Sequence, residues 1–302
     1  MGWRTVVLSH RAKVEYSMGY MVVREKETRR LFMDEVQLVL IATPAVSLTA
    51  VWLNECIRRK IKVIFCDEKR NPSAELIPYI GSNDSSLQIH RQIQWKEATR
   101  DAVWQAIIQA KIRGQQKVLS SAEQAEAAEK LAGYAEAVEA GDRTNREGHA
   151  AKVYFNALWG KLFSRREDVP VNRALNYGYS LFLSTCNREI AASGYLTQLG
   201  IFHDNRFNPF NLGCDLMEPF RPFVDQLVLD MAPSAFGPEE KKEILRLLSQ
   251  TIRIDGKKTV MLSAIGVYCH SVCRALENDD PQEISFPEVY DGGALHESDR
   301  IL

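Results

Sequence analysis

The sequence predicts an α+β protein of more than one domain, with a small β-rich N-terminal domain followed by a larger all-α domain. Three observations carry this. Over the first 80 residues, apolar and β-branched residues gather in short runs separated by polar turns. A stretch of linker composition follows, Gly81-Ser-Asn-Asp-Ser-Ser86. Beyond it, apolar residues recur at helical intervals, and a length of 302 residues suits two domains at about 150 residues each.

In the first domain, residues 1–80, the runs 4–9, 13–23, 30–32 and 36–42 read as strands. Ser47 reads as the N-cap of the domain's one helix, because Leu48, Val51, Trp52 and Cys56 then share a face. Residues 61–65 form a buried-strand run. Residues 66–73 are polar, with the turn signal Asn71-Pro72, and 74–80 read as one more short strand. The linker is assigned to 81–86 and the all-α domain to 87–290, with a mobile tail expected at 291–302.

The second domain opens with residues 85–118, which hold a single glycine, Gly114, and no proline. Ile89, Ile93, Val103, Trp104, Ile107, Ile108 and Ile112 are spaced as on a helix. Between Gln88 and Val118, six bases (Arg91, Lys96, Arg100, Lys111, Arg113, Lys117) face two acids, Glu97 and Asp101. The next segment, 121–140, is rich in alanine and glutamate and inverts that charge. Charge alone favours reading both as solvated helix faces. Further helices are expected over 145–162, 171–192, 215–231, 238–249 and 259–277, without an internal repeat.

Hydrophobic residues at 45% and charged residues at 25% exclude disorder, collagen and coiled-coil fibre. No apolar run approaches the roughly 18–20 residues of a bilayer span, and no secretory signal is read at the start, so no membrane association is expected and the protein is expected to be cytoplasmic. A net charge of −1 gives no overall electrostatic bias, so a nucleic-acid binder would have to segregate its charge locally. The six cysteines include no CxxC pair; Cys269-His270-x-x-Cys273 is the one cluster, and buried reduced thiols are the expected state.

Three places combine ionisable groups with unusual local sequence. In Asp142-Arg-Thr-Asn-Arg-Glu147-Gly-His149, Thr144 and Glu147 have capping-box spacing, which would explain Glu147 structurally. The alternative is a carboxylate pointing off a helix start as a metal ligand. In residues 200–213, turn formers surround His203, so it sits on an ordered loop, where sites are common and capping histidines are too. In Cys214-Asp215-Leu-Met-Glu218-Pro-Phe-Arg221-Pro, Asp215 and Glu218 would share a helical face, while Asp215 would serve equally as an N-cap. A straight helix from His203 to Glu218 would hold its ends about 22 Å apart. Only a chain that doubles back brings both to one ion. A Glu, His, Glu set suits Mg²⁺ or Mn²⁺ and phosphoryl chemistry, with zinc as an alternative.

The segment His203-x-x-x-x-x-Asn208-x-x-Asn211-Leu-x-x-Asp215-Leu-Met-Glu218-Pro-Phe-Arg-Pro, preceded by Arg146-Glu147-Gly-x-Ala-Ala, resembles the CRISPR-associated integrase family, the first-numbered Cas proteins. Phe65-Cys-Asp-Glu-Lys-Arg-Asn-Pro72, Leu175-Asn-Tyr-Gly-Tyr179 and Gly200-Ile-Phe-His203 are similar to the family's type II branch. The resemblance implies that the helical domain is catalytic and that Glu147, His203 and Glu218 hold Mg²⁺ or Mn²⁺, with Asp215 at a less certain acidic position. It implies a metal-dependent endonuclease and integrase, hydrolase-like in class. Such an enzyme joins the 3'-hydroxyl ends of a short foreign duplex to the repeat array by transesterification. Arg146, Arg206 and Arg221 are candidates for DNA phosphate, although Arg221 could instead pair with an acid of its own helix. The implied partners are double-stranded DNA, a second copy through the β-rich domain, a dimer of the second-numbered Cas protein bridging two such dimers, and other type II CRISPR proteins. Two other readings stay open: a stand-alone metal-dependent nuclease on branched DNA, and a non-catalytic DNA-bridging assembly protein.

Overall fold

The computed structural model describes residues 4–79 and 82–288. The chain divides into two compact units, one holding the residues before Gly81 and the other those from Ser82 on. The expected tail at 291–302 lies outside the described residues.

The N-terminal unit is built from β1 (Arg4–Leu8), β2 (Ala12–Ser17), β3 (Tyr20–Arg24), β4 (Thr28–Phe32), β5 (Val36–Ile41), β6 (Val46–Leu48), α1 (Ala50–Arg58), β7 (Lys62–Cys66) and β8 (Pro72–Glu75). One sheet has the order β1-β5-β7-β8, the other β4-β3-β2-β6. β5 runs parallel to both β1 and β7. Val6, Val39 and Val63 of the first sheet, Val14, Met21 and Val23 of the second, and Trp52 and Cys56 of α1 make one buried core.

Three local expectations are corrected in this unit. The run 13–23 is two strands, because Met18 and Gly19 turn at φ +47° and +87° and close a two-residue hairpin between Ser17 and Tyr20. Ser47 belongs to β6; the helix is capped by Thr49, whose hydroxyl accepts from the Trp52 N–H at 3.4 Å. The final strand starts at Pro72, two residues earlier than its expected start, pairing with Cys66 across a bulge.

The second unit holds α2 (Ser85–Ile93), α3 (Glu97–Ser121), α4 (Ala125–Glu136), α5 (Arg146–Trp159), α6 (Pro170–Ala192), α7 (Asn211–Leu216), α8 (Arg221–Met231), α9 (Pro238–Arg246), β9 (Thr251–Ile254), β10 (Lys257–Val260), α10 (Met261–Asn278) and β11 (Pro287–Glu288). The expected linker ends early: α2 starts at Ser85, whose hydroxyl donates to the Ser82 carbonyl at 2.6 Å. α3 is the axis. It buries Val103, Trp104, Ile107, Ile108, Ile112, Val118 and Leu119 and packs against α4, α5, α8 and α10. Its base-rich sequence is not one solvated face, because Lys111 falls on the buried stripe, four residues after Ile107 and seven after Trp104.

This unit is not purely helical. β9 pairs with β10 and β11 in a small antiparallel sheet. Residues 251–254 alternate exposed and buried, and Asp255-Gly256 turns with φ +51° and +68°. The helix expected over 215–231 is also interrupted. α7 ends at Leu216, a 3-10 turn spans Glu218–Phe220, and α8 follows with Pro222 in its first turn. The two prolines lack the N–H groups that a continuous helix would need.

Candidate functional site

Glu147 sits in the first turn of α5, and the capping box expected there does not form. Asn145, in the left-handed region at φ +53°, caps the helix by accepting from the Gly148 N–H at 3.2 Å. The buried Asp142 carboxylate accepts from the Arg146 N–H at 2.8 Å and the Glu147 N–H at 3.0 Å. The orphan donors of the helix start are thus served by Asn145 and Asp142. The Glu147 side chain is left free, and it pairs with Lys111 of α3.

Lys111 also faces Glu218, its Nζ lying 2.5 Å from Oε2. The lysine side chain is 8% exposed and that of Glu218 3%. Glu218 Oε2 is buried and accepts no well-directed hydrogen bond. Its other oxygen, Oε1, accepts from Arg221 Nε at 2.9 Å. Burial pushes the Glu218 carboxyl up, but Arg221 and Lys111 outweigh it and hold the group down at about 2. Burial likewise works against the Lys111 ammonium, and the charges of Glu218 and Glu147 raise it overall.

Behind Glu218 the network continues. The Arg221 guanidinium, paired with Glu218 as the sequence allowed, also lies 4.5 Å from the Tyr179 ring centroid, and its side chain stays 26% exposed. The Tyr179 hydroxyl donates to Asp225 Oδ1, and Tyr154 donates to Oδ2 at 3.0 Å. Burial pushes Asp225 up to about 6. Of the other two arginines proposed for DNA, Arg206 is exposed beside Phe207, whereas Arg146 lies over Tyr134 with its Nε buried.

His203 comes from the connector between α6 and α7, which does double back. Asn211 stitches it, donating through Nδ2 to the carbonyls of Gln198 and Asn205, each at 3.0 Å. Asp215, fully buried in α7, receives the backbone N–H groups of Ile201 at 2.6 Å, Phe202 at 3.1 Å and His203 at 3.1 Å. Its Oδ1 also lies 2.6 Å from His203 Nδ1. A side chain at Gly200 would place Cβ 2.2 Å from the His203 carbonyl oxygen, so only glycine allows this turn. The Trp104 ring stacks on Phe202 with centroids 4.5 Å apart and meets His203 edge-on at 5.8 Å. The hydrogen bond to Asp215 raises the imidazole pKa against the opposing effect of burial; the charges of Glu218 and Glu147 add to the rise. Burial raises the Asp215 carboxyl, partly offset by its donors. Asp215, the fifth residue of α7, is thus not an N-cap; it orients the histidine and its loop.

The sequence pointed to Glu147, His203, Asp215 and Glu218. The structure brings the two glutamates onto one ammonium and sets His203, held by Asp215, within electrostatic reach of both. It does not present the three expected ligands as a ready group. Among the described residues, no three His, Cys, Asp or Glu side chains stand in a ligating cluster. The cation between the glutamates is Lys111, which sequence reasoning missed; the available signal was a lysine inside an isoleucine stripe. The donor chemistry still fits a hard divalent cation: two carboxylates, one of them Glu218 with its side chain 3% exposed, already share one positive charge. Cys269 and Cys273 are buried thiols in α10, and burial pushes Cys273 up to about 12. No helix among the described residues is long and apolar enough to cross a membrane.

Comparison with known proteins gives a consistent result. The family model described as CRISPR associated protein Cas1 matches residues 5–245. The CRISPR-associated endonuclease Cas1 of Neisseria meningitidis serogroup C (strain 8013) is 27% identical over 295 residues, covering 96% of this chain and 97% of that protein. A solved casposase bound to integration product superposes with a TM-score of 0.74 at 18% identity, over 92% of this chain and 91% of that one. A Cas6-RT-Cas1–Cas2 complex matches with a TM-score of 0.71 at 15% identity, over 93% of this chain and 36% of the other.

Proposed function

The chain belongs to the CRISPR-associated Cas1 family, and on that premise we propose that it is the DNA-joining subunit of spacer acquisition. Glu147, His203 and Glu218 would hold Mg²⁺ or Mn²⁺. The observation that carries this is the convergence of two carboxylates from α5 and the 3-10 turn on one cationic group beside a tethered imidazole. When bound, such an ion stabilises charge on a phosphodiester and lowers the pKa of a coordinated hydroxyl.

In the reaction, the 3'-hydroxyl oxygen of a short duplex attacks a phosphorus atom in the repeat strand. A new P–O bond forms, the bond to the repeat's 3'-oxygen breaks, the attacking hydroxyl loses its proton, and the leaving oxygen gains one. The residues of this chain orient the reactants and shield the buried Glu218 carboxylate from water. With Nδ1 engaged by Asp215, the chemistry of the His203 ring is left to Nε2. As neutral imidazole, Nε2 offers a lone pair; as imidazolium, it delivers a proton to the leaving oxygen.

The partners of this reading are double-stranded DNA, a second copy of the chain meeting through the β-rich unit, and a dimer of the second-numbered Cas protein between two such dimers. The integration product in the casposase complex and the Cas1–Cas2 assembly among the solved structures support it. The test is joining of a labelled duplex into a repeat-bearing plasmid with Mn²⁺, with steep loss of DNA affinity as salt rises. Glu147→Ala, His203→Ala and Glu218→Ala should each abolish joining while leaving helix content unchanged. Wild-type joining by all three refutes the reading, and strand cleavage without any joining points to a stand-alone nuclease.

A further inference from the structure

We propose that Lys111 is an internal placeholder for the divalent cation, and that its displacement makes cation binding depend on the substrate phosphate. This inference rests on the metal-holding role given above to Glu147 and Glu218.

Lys111 projects from the apolar stripe of α3, between Ile107, Ile108 and Ile112, each fully buried. Its ammonium donates to Glu147 Oε1 and lies 2.5 Å from Glu218 Oε2. That is the space a cation ligated by both carboxylates would take. Ammonium and divalent ion cannot share it at ligand distances of about 2.0–2.2 Å for Mg²⁺ or Mn²⁺-like ions.

Charge gives the consequence. Glu147 and Glu218 are balanced one for one by Lys111 and Arg221. A divalent ion that takes the ammonium's place leaves one uncompensated positive charge beside the desolvated Glu218 carboxylate, which is unfavourable. A phosphodiester entering with it supplies negative charge and gives the displaced ammonium an acceptor. The ion and the DNA phosphate therefore stabilise each other in the site, and Lys111 is the group that couples them. Without DNA, the lysine keeps the glutamates together and the site closed to ions.

The test uses the full-length protein and Mn²⁺ itself. Free Mn²⁺ is followed by its paramagnetic resonance signal, with and without a joining-competent duplex, in wild type, Lys111→Met and Lys111→Arg. Methionine keeps most of the aliphatic volume and removes the charge. Wild type should bind Mn²⁺ at least about tenfold more tightly with duplex than without, the scale of an ordinary coupling energy. Lys111→Met should bind Mn²⁺ at least about tenfold more tightly than wild type without duplex, and gain little when duplex is added. Lys111→Arg should keep the wild-type dependence on duplex. If Lys111→Met is unfolded without metal, Mn²⁺ alone should raise its melting temperature far more than that of wild type. An Mn²⁺ affinity of Lys111→Met equal to or weaker than wild type, or melting indifferent to Mn²⁺, overturns the placeholder. Wild-type binding that ignores duplex also overturns it, while leaving the metal site standing. No Mn²⁺ binding by any variant in any condition refutes the metal site itself, and the placeholder with it.

Discussion

His203 Nδ1 lies 2.6 Å from Asp215 Oδ1, and the same carboxylate receives the backbone N–H groups of residues 201, 202 and 203. One buried acid therefore fixes the ring, its tautomer and the path of the loop that carries it. A histidine on a turn-rich connector would otherwise sample many rotamers; here the rotamer and the backbone beneath it share an anchor.

Asp215→Asn should lower the titration of His203 in the metal-free protein. The hydrogen bond that raises the imidazole pKa in the wild type stabilises the fold most below the ordinary value of 6.5, and that contribution is lost as pH rises through the folded value. Ring-proton NMR titration measures the change. Joining should fall by at least about tenfold, the usual scale for losing a ligand-orienting partner. An unmoved His203 titration would show that Asp215 does not set its charge.

Glu218 makes the opposite contribution. Its folded value near 2 lies below its ordinary 4.5, so the stability it supplies is complete above 4.5 and is lost as pH falls from there toward 2. Glu218→Gln should flatten that limb of an acid-unfolding curve, measured by circular dichroism against denaturant. A limb unchanged in slope would rule out the ion pairs as its cause.

Asp225 is a buried acid pushed up to about 6, so its ionisation costs stability. The cost is relieved as pH falls from about 6 toward 3.8 and is complete above 6. Asp225→Asn should remove that component between those values; chemical denaturation at several pH values reads it out.

Tyr154→Phe withdraws the 3.0 Å hydrogen bond to Asp225 Oδ2 without changing the ring. A buried carboxylate oxygen loses a donor, and the expected destabilisation is about 1–3 kcal/mol. Urea unfolding should show an earlier midpoint with an unchanged slope.

Gly200→Ala brings Cβ to within 2.2 Å of backbone oxygen and 2.8 Å of Asp215 Oδ2, neither of which yields cheaply. The loop, more than the helices, should distort. Joining should drop by at least about a hundredfold, on the scale of an ångström-level misplacement at a reacting centre, with helix content retained. Wild-type joining would mean that the turn is dispensable.

Much of the fold was legible locally. The nearly continuous apolar run of residues 36–41 follows from burial of β5 on both faces between its parallel neighbours β1 and β7, and the 3.6 period of α3 from its buried stripe; neighbours in sequence report both directly. Asp255-Gly256 carried the hairpin signal of the small sheet, hidden because the surrounding sequence read as helix and connector. The caps went astray at Ser47 and Thr144 because Thr49 and Asn145 stand close by with equally capable oxygens; backbone direction, not side-chain type, decides between such neighbours.

By itself, the sequence determined the two-part layout, the acid- and histidine-bearing segments and the likeness that unites them, since these are written in composition, period and motif. The packing of α3 against α5 and the 3-10 turn alone decided that Lys111, 36 residues before Glu147, would stand between two glutamates. The physical reason is that a charge takes its meaning from what faces it across a desolvated gap. That partner is chosen by tertiary packing over long stretches of chain, which no local spacing records.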